Sequence, residues 1–363
     1  MKMSTFSAHR RVRLIASTAT FLVAASSLAA CAGNTNDGAA TQAGTASAQG
    51  DQSVTILAYD SFDFPQDLLD KFHEQTGITA KIQAIGNGGE LANQLVLTKD
   101  APLGDAVFGL DNTVSTRIGG QGIIEDAHIT SPNADDNFQG EPGLVPIDRG
   151  DVCVNYDKKW FADHQLAVPT SFEDLTKPQY KDMLVAMNPA SSTPGMAFML
   201  ATIAKFGPDG YAQYWKSLKD NGVKITEGWS QAFNVDYSAG EGKGSYPMMV
   251  SYGSSPAYAV NDAGTESSTG VITDTCFRQV EYAGVLKGAK NPEGAKKFIE
   301  FLLSDEVQSA ISKATYMHPY KGQAPEALQK FGPLADKPLR VDPQDIEKNS
   351  TAWLKTWQET VLG

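Results

Sequence analysis

The sequence predicts an α/β protein with two lobes, each a mixed, mostly parallel sheet flanked by helices. Strand-like and helix-like segments alternate along residues 53–111, and a second alternating region of similar size follows residue 152. A βαβαβ order predicts parallel strands with helices on the sheet faces. Small polar and aromatic residues follow several of the predicted strands. Because ligands bind beyond the carboxyl ends of strands in such sheets, these residues are the candidate site.

The first region gives the clearest pattern. SVTILAY (53–59), ITAKIQAI (78–85) and DAVFGLD (105–111) are predicted strands. Between the first two, Leu68, Leu69 and Phe72 recur at helical spacing, and Gly77 is a typical residue for the end of that helix. A second helix is predicted over 88–97. These five segments form one βαβαβ unit.

The second region repeats this alternation with different segments. Strands are predicted for VCVNY (152–156), MLVAMNP (183–189), VKIT (223–226), PMMVSY (247–252) and TCFRQVEY (275–282). Helices are predicted for residues 171–175, 194–206, 210–221 and around 231–237. Residues 292–303 place apolar side chains at i, i+3, i+4, i+7 and i+8, with Asp305 as the cap of another helix. Residues 342–361 form a last amphipathic helix.

The N-terminus has the features of an export signal. Arg10, Arg11 and Arg13 precede an apolar stretch that ends in Leu-Ala-Ala-Cys at residues 28–31. This ending is typical of a lipobox, in which the signal peptide (1–30) is cut and Cys31 receives a lipid. Residues 31–52 contain too few large apolar side chains to fold and are predicted to be a flexible tether. We expect the protein to be lipid-anchored on the outer face of the bacterial cell membrane.

Charge and cysteine content exclude several functions. The signal region holds four of the 30 basic residues and none of the 42 acidic ones, which leaves a formal charge of −16 on the rest. This charge argues against a nucleic-acid partner. Cys153 and Cys276 form an even pair in an exported chain, which favours a disulfide over two buried free thiols. The five histidines match no metal motif, and we expect neither metal nor cofactor.

Two hydroxyl-proline pairs follow predicted strands. Thr193-Pro194 and Ser255-Pro256 each predict a helix start with a capping hydroxyl and proline in the first turn. Free N–H groups at such starts suit an anion or a carbonyl. Trp229 and Tyr252 add flat aromatic faces, which attract a cation or stack on a heterocycle. Capped helices over core aromatics would give the same pattern, but the shared position after strands favours a site.

Six strings in order give a specific resemblance. YDSF (59–62), GLDN (109–112), STPG (192–195), EGWS (227–230), SYGSSPAY (251–258) and ATYMHPY (314–320) resemble the thiamine-binding proteins of bacterial ABC importers. The resemblance covers essentially the whole chain after the tether. It implies a periplasmic-binding-protein type II fold, hinged by crossover strands, that closes on its ligand and delivers it to a membrane permease driven by a separate ATPase. It also implies a monomer without catalytic residues.

The resemblance also implies the lobe boundaries and the ligand contacts. Lobe 1 would comprise 53–147 plus about 278–320, and lobe 2 would comprise 148–277 plus about 321–363. Rings at 59 and 316 would flank the aminopyrimidine, amides at 87 and 88 would hydrogen-bond it, and the second lobe would surround the thiazolium and its tail. Acids at 60 and 111 would offset the positive charge. The implied ligand-binding residues are Tyr59, Asp60, Asn87, Gly88, Asp111, Ser192, Thr193, Trp229, Tyr252, Gly253, Ser254, Ser255 and Tyr316.

Two other functions stay open at this point. Arg149 follows the hinge aspartate where the family has an aromatic residue, and it favours a phosphorylated ligand if it faces the site. A receptor for another cationic solute, such as a polyamine, would need more carboxylates than these loops carry. A thiamine-degrading enzyme of the same fold would need a reactive cysteine, and Cys153 is the first candidate.

Overall fold

The computed structural model describes residues 52–130 and 141–363. The predicted signal peptide, Cys31 and nearly all of the predicted tether therefore lie outside the described residues. Within the described part of the chain, no helix combines the length and the apolar character that a membrane span requires.

Within residues 52–130 and 141–363, ten strands form one mixed sheet. Along the sheet the order is β2-β1-β3-β9-β5-β8-β6-β7, with β10 paired to β5 and β4 paired to β9. The strands are β1 (Gln52–Ala58), β2 (Ile78–Ala84), β3 (Ala106–Asp111), β4 (Ile124–Glu125), β5 (Val145–Asp157), β6 (Leu184–Met187), β7 (Lys224–Thr226), β8 (Met248–Tyr252), β9 (Thr269–Leu286) and β10 (His318–Pro319).

Helices cover the faces of this sheet. They are α1 (Gln66–Thr76), α2 (Gly88–Leu97), α3 (Lys158–Asp163), α4 (Thr193–Phe206), α5 (Tyr211–Asp220), α6 (Trp229–Gln231), α7 (Pro292–Leu302), α8 (Asp305–Thr315), α9 (Glu326–Phe331) and α10 (Pro343–Val361). A π-helical turn over Ala232–Asp236 continues α6. The α/β fold class predicted from the sequence is confirmed.

The first unit is built on three parallel strands. β1 pairs with β2 on one side and with β3 on the other. Buried side chains fill both sheet faces: one cluster contains Phe72, Phe108 and Phe298, and the other contains Leu91 and Leu110. Burial on both faces explains why β3 carries no polar residue before Asp111 and lacks the alternation of a half-exposed strand.

The second unit has one larger core. β6 lies between β7 and β8 and is parallel to both. Helix α4 carries small or apolar side chains nearly all round, and every residue from Thr193 to Ile203 is buried. The C-terminal helix α10 joins this core through Trp353 and Trp357. The far end of the chain thus stabilises the second unit.

Two long antiparallel strands connect the units. β5 contributes Val145 and Ile147 to the first unit's core and Val152 and Val154 to the second unit's core. The 18-residue strand β9 runs antiparallel beside it. Cys153 and Cys276 form a disulfide between these strands, with Cα atoms 4.2 Å apart. The predicted pairing of these two cysteines is confirmed.

Three predicted helix starts differ in detail. Ser192, rather than Thr193, is the N-cap of α4, and its hydroxyl accepts from the N–H of Gly195. Ser304, rather than Asp305, caps α8. Ser255-Pro256 begins only a 3-10 turn (Ser255–Tyr258), and no side chain caps it. The Ser255 hydroxyl instead meets the Ser251 hydroxyl at 3.1 Å, which removes it from a capping role.

Candidate functional site

A narrow cleft lies between the two units. Its volume is about 20 Å³, roughly the space of one water molecule. The cleft is lined from the first unit by the end of β1 and the start of α2, and from the second unit by the starts of α4 and α6 and the end of β8. The lining residues are Tyr59, Asp60, Ser61, Asn87, Gly88, Ser192, Thr193, Pro194, Trp229 and Tyr252.

The first wall combines one aromatic ring with acidic groups. Tyr59 follows β1 directly, and its hydroxyl donates to Glu281 Oε2 at 3.3 Å. Burial, and then the nearby negative charge of Glu281, raise the pKa of the Tyr59 hydroxyl well above its ordinary value. Asp60 lies beside it, and desolvation raises the pKa of its carboxyl. This wall therefore offers negative potential and a neutral phenol.

The start of α2 completes the first wall. Asn87 and Glu90 form a capping box, in which Glu90 Oε2 accepts from the backbone N–H of Asn87 at 2.8 Å. The same oxygen accepts from the side-chain amide of Asn87 at 3.2 Å. The side chain of Asn87 is thus held at the helix start, with its amide group beside the cleft.

The second wall presents aromatic rings and hydroxyl groups. Trp229 donates its indole N–H to Ser251 Oγ at 2.9 Å and stacks on Phe233 with ring centroids 4.7 Å apart. The ring centroid of Tyr252 lies 6.1 Å from that of Trp229. Ser251 and Tyr252 end β8, so the strand fixes the position of both rings. Ser192 and Thr193 complete this wall at the start of α4.

The two walls touch directly. The N–H of Gly89, in the first turn of α2, donates to the carbonyl of Ser191, before α4, at 2.9 Å. A Cβ atom on Gly89 would lie 2.6 Å from that carbonyl oxygen, and one on Gly88 would lie 2.7 Å from Thr193. Only residues without a side chain allow this approach. The two units are thus closed on each other, and the cleft between them is too small for an organic ligand.

A larger cavity, called the side cavity here, adjoins the second wall. Its volume is about 300 Å³. Strands β5, β8 and β9 supply its floor, and the segments around the π-helical turn and the 3-10 turn supply its sides. Its lining is Asn155, Phe233, Tyr237, Ala239, Gly240, Glu241, Ser251, Ser255, Tyr258, Ala259, Ser268, Thr269 and Tyr316.

Three buried acids lie behind the aromatic rings of the cleft. In the sheet register Glu281 of β9 pairs with Asp111 of β3 on one side and with Asp148 of β5 on the other. We call these three residues the carboxylate row. Burial raises the pKa of Asp148 to about 7. Burial, and then the charge of Asp148, raise the pKa of Glu281 well above its ordinary value.

The residues around the carboxylate row only partly offset the repulsion between its three acids. Asp111 accepts from the side-chain hydroxyl of Thr113 at 2.6 Å and also from the amide of Gln279. Arg117 interacts electrostatically with Asp111, and burial lowers the pKa of its guanidinium. Burial, and then the nearby negative charge of Glu281, raise the pKa of the Tyr252 hydroxyl well above its ordinary value. A cation in the cleft would add compensation.

The structure brings most of the predicted site residues together. Tyr59, Asp60, Asn87, Gly88, Ser192, Thr193, Trp229 and Tyr252 line the cleft, whereas Ser255 and Tyr316 line the side cavity. Ser254 donates its hydroxyl to the carbonyl of Tyr316. Gly253 lies against Cys153, where a Cβ would be 3.2 Å from the sulfur. Asp111 is fully buried in the carboxylate row.

Other residues of the site were missed from the sequence. Glu281 and Asp148 lie on strands whose apolar neighbours suggest core positions. The available sign of a role in the site was that an acidic residue occupies such a position. The side cavity is also lined by Tyr237, Asn155 and Thr269, which come from three segments that are far apart in the sequence. Arg149 stacks on Tyr320 with its guanidinium 4.9 Å from the ring centroid and lines neither cavity. Arg149 would favour a phosphorylated ligand only if it faced the site, and it faces neither cavity.

This geometry also bears on two other kinds of site, a catalytic cysteine and a bound metal ion. Cys153 is disulfide-bonded and buried, so it offers no thiolate nucleophile. Cys153 is one of the residues around a third cavity of about 570 Å³, which shares no residue with the cleft lining. Among residues 52–130 and 141–363, no group of His, Cys, Asp and Glu side chains is arranged to hold a metal ion.

Comparison with known proteins gives a consistent result. Residues 111–349 match the family model of the bacterial extracellular solute-binding protein. The chain is 27% identical over 316 residues to the thiamine-binding periplasmic protein of Escherichia coli (strain K12), covering 85% of this chain and 93% of that protein. It is 28% identical over 321 residues to the thiamine-binding periplasmic protein of Salmonella typhimurium, with 85% and 93% covered.

A solved structure supports the same relationship. The model is similar to a periplasmic thiamin binding protein with a TM-score of 0.76 and 26% sequence identity. The match covers 86% of this chain and 96% of that chain. The two-lobed type II periplasmic-binding fold expected from the sequence is thereby confirmed.

Proposed function

Because this chain belongs to the family of bacterial extracellular solute-binding proteins, we propose that it captures thiamine or a thiamine phosphate between its two units. The observation that carries the proposal is the composition of the cleft: the aromatic rings of Tyr59, Trp229 and Tyr252 surround it, and three buried acids lie behind two of those rings. Flat rings with negative potential suit a flat cation. The names of the relatives support the same ligand.

The chain acts as a binding component of transport rather than as an enzyme. Its relatives are named as binding proteins, and both cysteines of the folded part are committed to a disulfide. A permease with a separate ATPase would receive the ligand from a monomeric receptor. We place the lobe boundaries of this receptor at 53–147 plus about 278–320 and at 148–277 plus about 321–363, with β5 and β9 as the hinge strands.

Binding would require the cleft to open and close. Ligand contacts on both walls would favour a closed state that is wider than the present one, in which Gly89 meets Ser191 and only about 20 Å³ of space remains. In the closed arrangement the rings exclude water from the ligand, and this strengthens its electrostatic attraction to the acids.

We also propose that Cys31 carries the lipid that holds the receptor at the outer face of the membrane. The lipobox-like sequence before Cys31 supports this. Cells expressing the full chain and its Cys31→Ser variant should differ after detergent phase partition, with only the unmodified sequence in the detergent phase. Equal partition of both proteins into the aqueous phase would contradict lipidation.

The ligand can be identified from the protein itself. Mass spectrometry of small molecules released from the purified, denatured protein should detect thiamine or a phosphate ester. Calorimetric titration of ligand-free protein should then show one site for thiamine and no heat for spermidine. Binding of spermidine without binding of thiamine would assign the receptor to polyamines instead.

A further inference from the structure

The three acids of the carboxylate row lie too close together to carry three charges at once. Asp111, Asp148 and Glu281 are 0%, 0% and 2% exposed. Glu281 is opposite Asp111 on one neighbouring strand and opposite Asp148 on the other. Side chains opposite each other in antiparallel strands share one face of the sheet, with Cβ atoms about 4.5–5.5 Å apart. Ionised carboxyls at this spacing, away from water, repel one another strongly.

The hydrogen-bond donors around the row are unequally distributed. Asp111 accepts from the hydroxyl of Thr113 at 2.6 Å and from its backbone N–H at 2.9 Å. Asp148, at the other end of the row, has no donor for either carboxyl oxygen among the described residues. The nearby hydroxyl of Thr315 donates to a carbonyl of its own helix at 3.1 Å. A proton shared by Asp148 and Glu281 would remove one charge and supply the missing hydrogen bond.

The other titratable groups around the row do not neutralise this pair of acids. In the described part of the chain, no ion pair includes Asp148 or Glu281. Arg117 acts on Asp111, and Arg149 lies over an aromatic ring, on the face of β5 opposite to that of Asp148. Burial shifts the pKa of each remaining group toward its neutral form; these groups are Tyr59, Asp60, Tyr252, Tyr282 and His318.

Tyr59 connects the row to the cleft. Its ring lines the cleft, and its hydroxyl donates to Glu281 Oε2 at 3.3 Å. The ring packs tightly on Gly109, which has a φ of +87° and whose Cβ would lie 2.3 Å from the ring. A positive charge on the cleft side of Tyr59 therefore acts on Glu281 through buried protein rather than through bulk water. Such a charge favours the ionised form of the acids.

We propose that the Asp148–Glu281 pair holds a proton in the ligand-free receptor and gives it up when a cation enters the cleft. The inference rests on the proposed function, because thiamine is the cation that the receptor captures. The O–H bond of the carboxyl breaks, the proton passes to the solvent, and the carboxylate left behind compensates the charge of the thiazolium. Burial raises the pKa of Asp148 to about 7, so the transfer falls near neutral pH. Acid conditions therefore oppose capture of the ligand.

Calorimetry in buffers of different ionisation enthalpy counts the protons released. With thiamine at about pH 6.5, the binding enthalpies in PIPES and in Bis-Tris should differ by an amount that corresponds to about half a proton per thiamine. This number follows if the cation favours the ionised pair about tenfold. A neutral analogue, with thiophene in place of thiazolium, should bind without releasing a proton.

Two variants of strand β5 test the assignment to this pair. Asp148→Asn keeps the shape of the side chain but cannot ionise, so proton release should fall close to zero and thiamine affinity should no longer rise with pH. Asp151→Asn is the matched control, because Asp151 is also buried on β5 but is paired with Arg278. This control should lower the melting temperature and leave the release at about half a proton.

A measurement without ligand tests the held proton separately. An acid that holds a proton in the folded state, when the unfolded chain has released it, makes the protein less stable as the pH rises from about 4 to 7. Between pH 5 and 7, the urea midpoint of the unmodified protein should therefore fall relative to that of Asp148→Asn. Equal changes in the two proteins would show that Asp148 holds no such proton and would overturn the inference.

The outcomes separate this inference from the proposed function. Thiamine binding with the same enthalpy in both buffers would overturn the proton release and leave the proposed function standing. Equal proton release with thiamine and with the neutral analogue would assign the release to closure of the units, which also overturns the inference. Absence of thiamine binding would refute the proposed function and the coupling together, and the urea comparison would still decide whether the row holds the proton. The buffer comparison uses the unmodified protein, so it decides the matter even if Asp148→Asn does not fold.

Discussion

The two units share a βαβ construction but contribute different chemistry to the cleft. The first unit provides one ring, Tyr59, together with Asp60 and, behind them, the carboxylate row. The second unit provides Trp229, Tyr252 and the hydroxyls at the start of α4. The first wall is thus mainly electrostatic, and the second is mainly aromatic and hydrogen-bonding. A cation with a flat, polar framework requires both, which explains why neither unit alone would bind it well.

The units also differ in how they are stabilised. The first has buried clusters on both faces of its sheet, whereas the second has one large core, the C-terminal helix and the adjoining disulfide. The aromatic wall extends directly from that core, since Trp229, Phe233 and Tyr316 pack against it. Rings held this firmly lose little conformational freedom on binding.

The largest expected effect is a loss of stability with little change in ligand affinity. The disulfide closes a loop with a sequence separation of 123 residues, and its loss should reduce the free energy of unfolding by about 4 kcal/mol. Cys153→Ser and Cys276→Ser should lower the melting temperature similarly, while calorimetry should find thiamine affinity nearly unchanged. A large loss of affinity in only one variant would instead give that cysteine a role in the site.

The second effect tests the aromatic wall. Trp229→Ala should weaken thiamine binding by about a hundredfold, or roughly 2–3 kcal/mol, because the indole is the largest aromatic surface that lines the cleft. Trp160→Ala is the matched control: Trp160 stacks on His164 at 3.8 Å and lines neither cavity. Equal affinities for the two variants in a calorimetric titration would place the ligand elsewhere.

The third effect tests the electrostatic wall. Glu281→Gln should weaken thiamine binding by about tenfold and leave the binding of a neutral analogue, with thiophene in place of thiazolium, unchanged. The neutral analogue is the control, since it makes the same contacts without the charge. If both ligands lost affinity equally, Glu281 would act by positioning Tyr59 and not through its charge.

The smallest effect concerns pH. The pKa of Asp148 is raised to about 7, so the free folded protein favours the protonated acid, and this contribution to stability is lost as the pH rises from about 4 to 7. A bound cation favours the ionised acid, so thiamine affinity should rise severalfold over the same range. Titrations between pH 5 and 8 would measure this, and affinity that falls with rising pH would contradict it.

Sequence patterns predicted much of this molecule because local signals agreed with the final structure. The strand and helix pattern of the first unit, the positive-φ glycine at Gly77 and the Cys153–Cys276 pair all depend on local rules or on simple pairing. The cleft residues followed from their position after strands, which parallel topology brings to one edge.

The remaining features depend on long-range contacts. The carboxylate row forms only because β3, β9 and β5 become neighbours, although Asp111 and Glu281 are 170 positions apart in the sequence. The side cavity likewise assembles residues from five separate segments. Ser255 illustrates the limit of a local rule: the hydroxyl-proline pair suggested a capped helix, but the hydroxyl meets Ser251 across the turn.

The location of thiamine in a crystal of the complex tests the central claim most directly. We expect thiamine between the two units, with its thiazolium between Tyr59 and Trp229 and with a cleft wider than the about 20 Å³ of the present structure. A complex with thiamine bound outside the space between the two units, or with that space empty at saturating thiamine, would contradict the account.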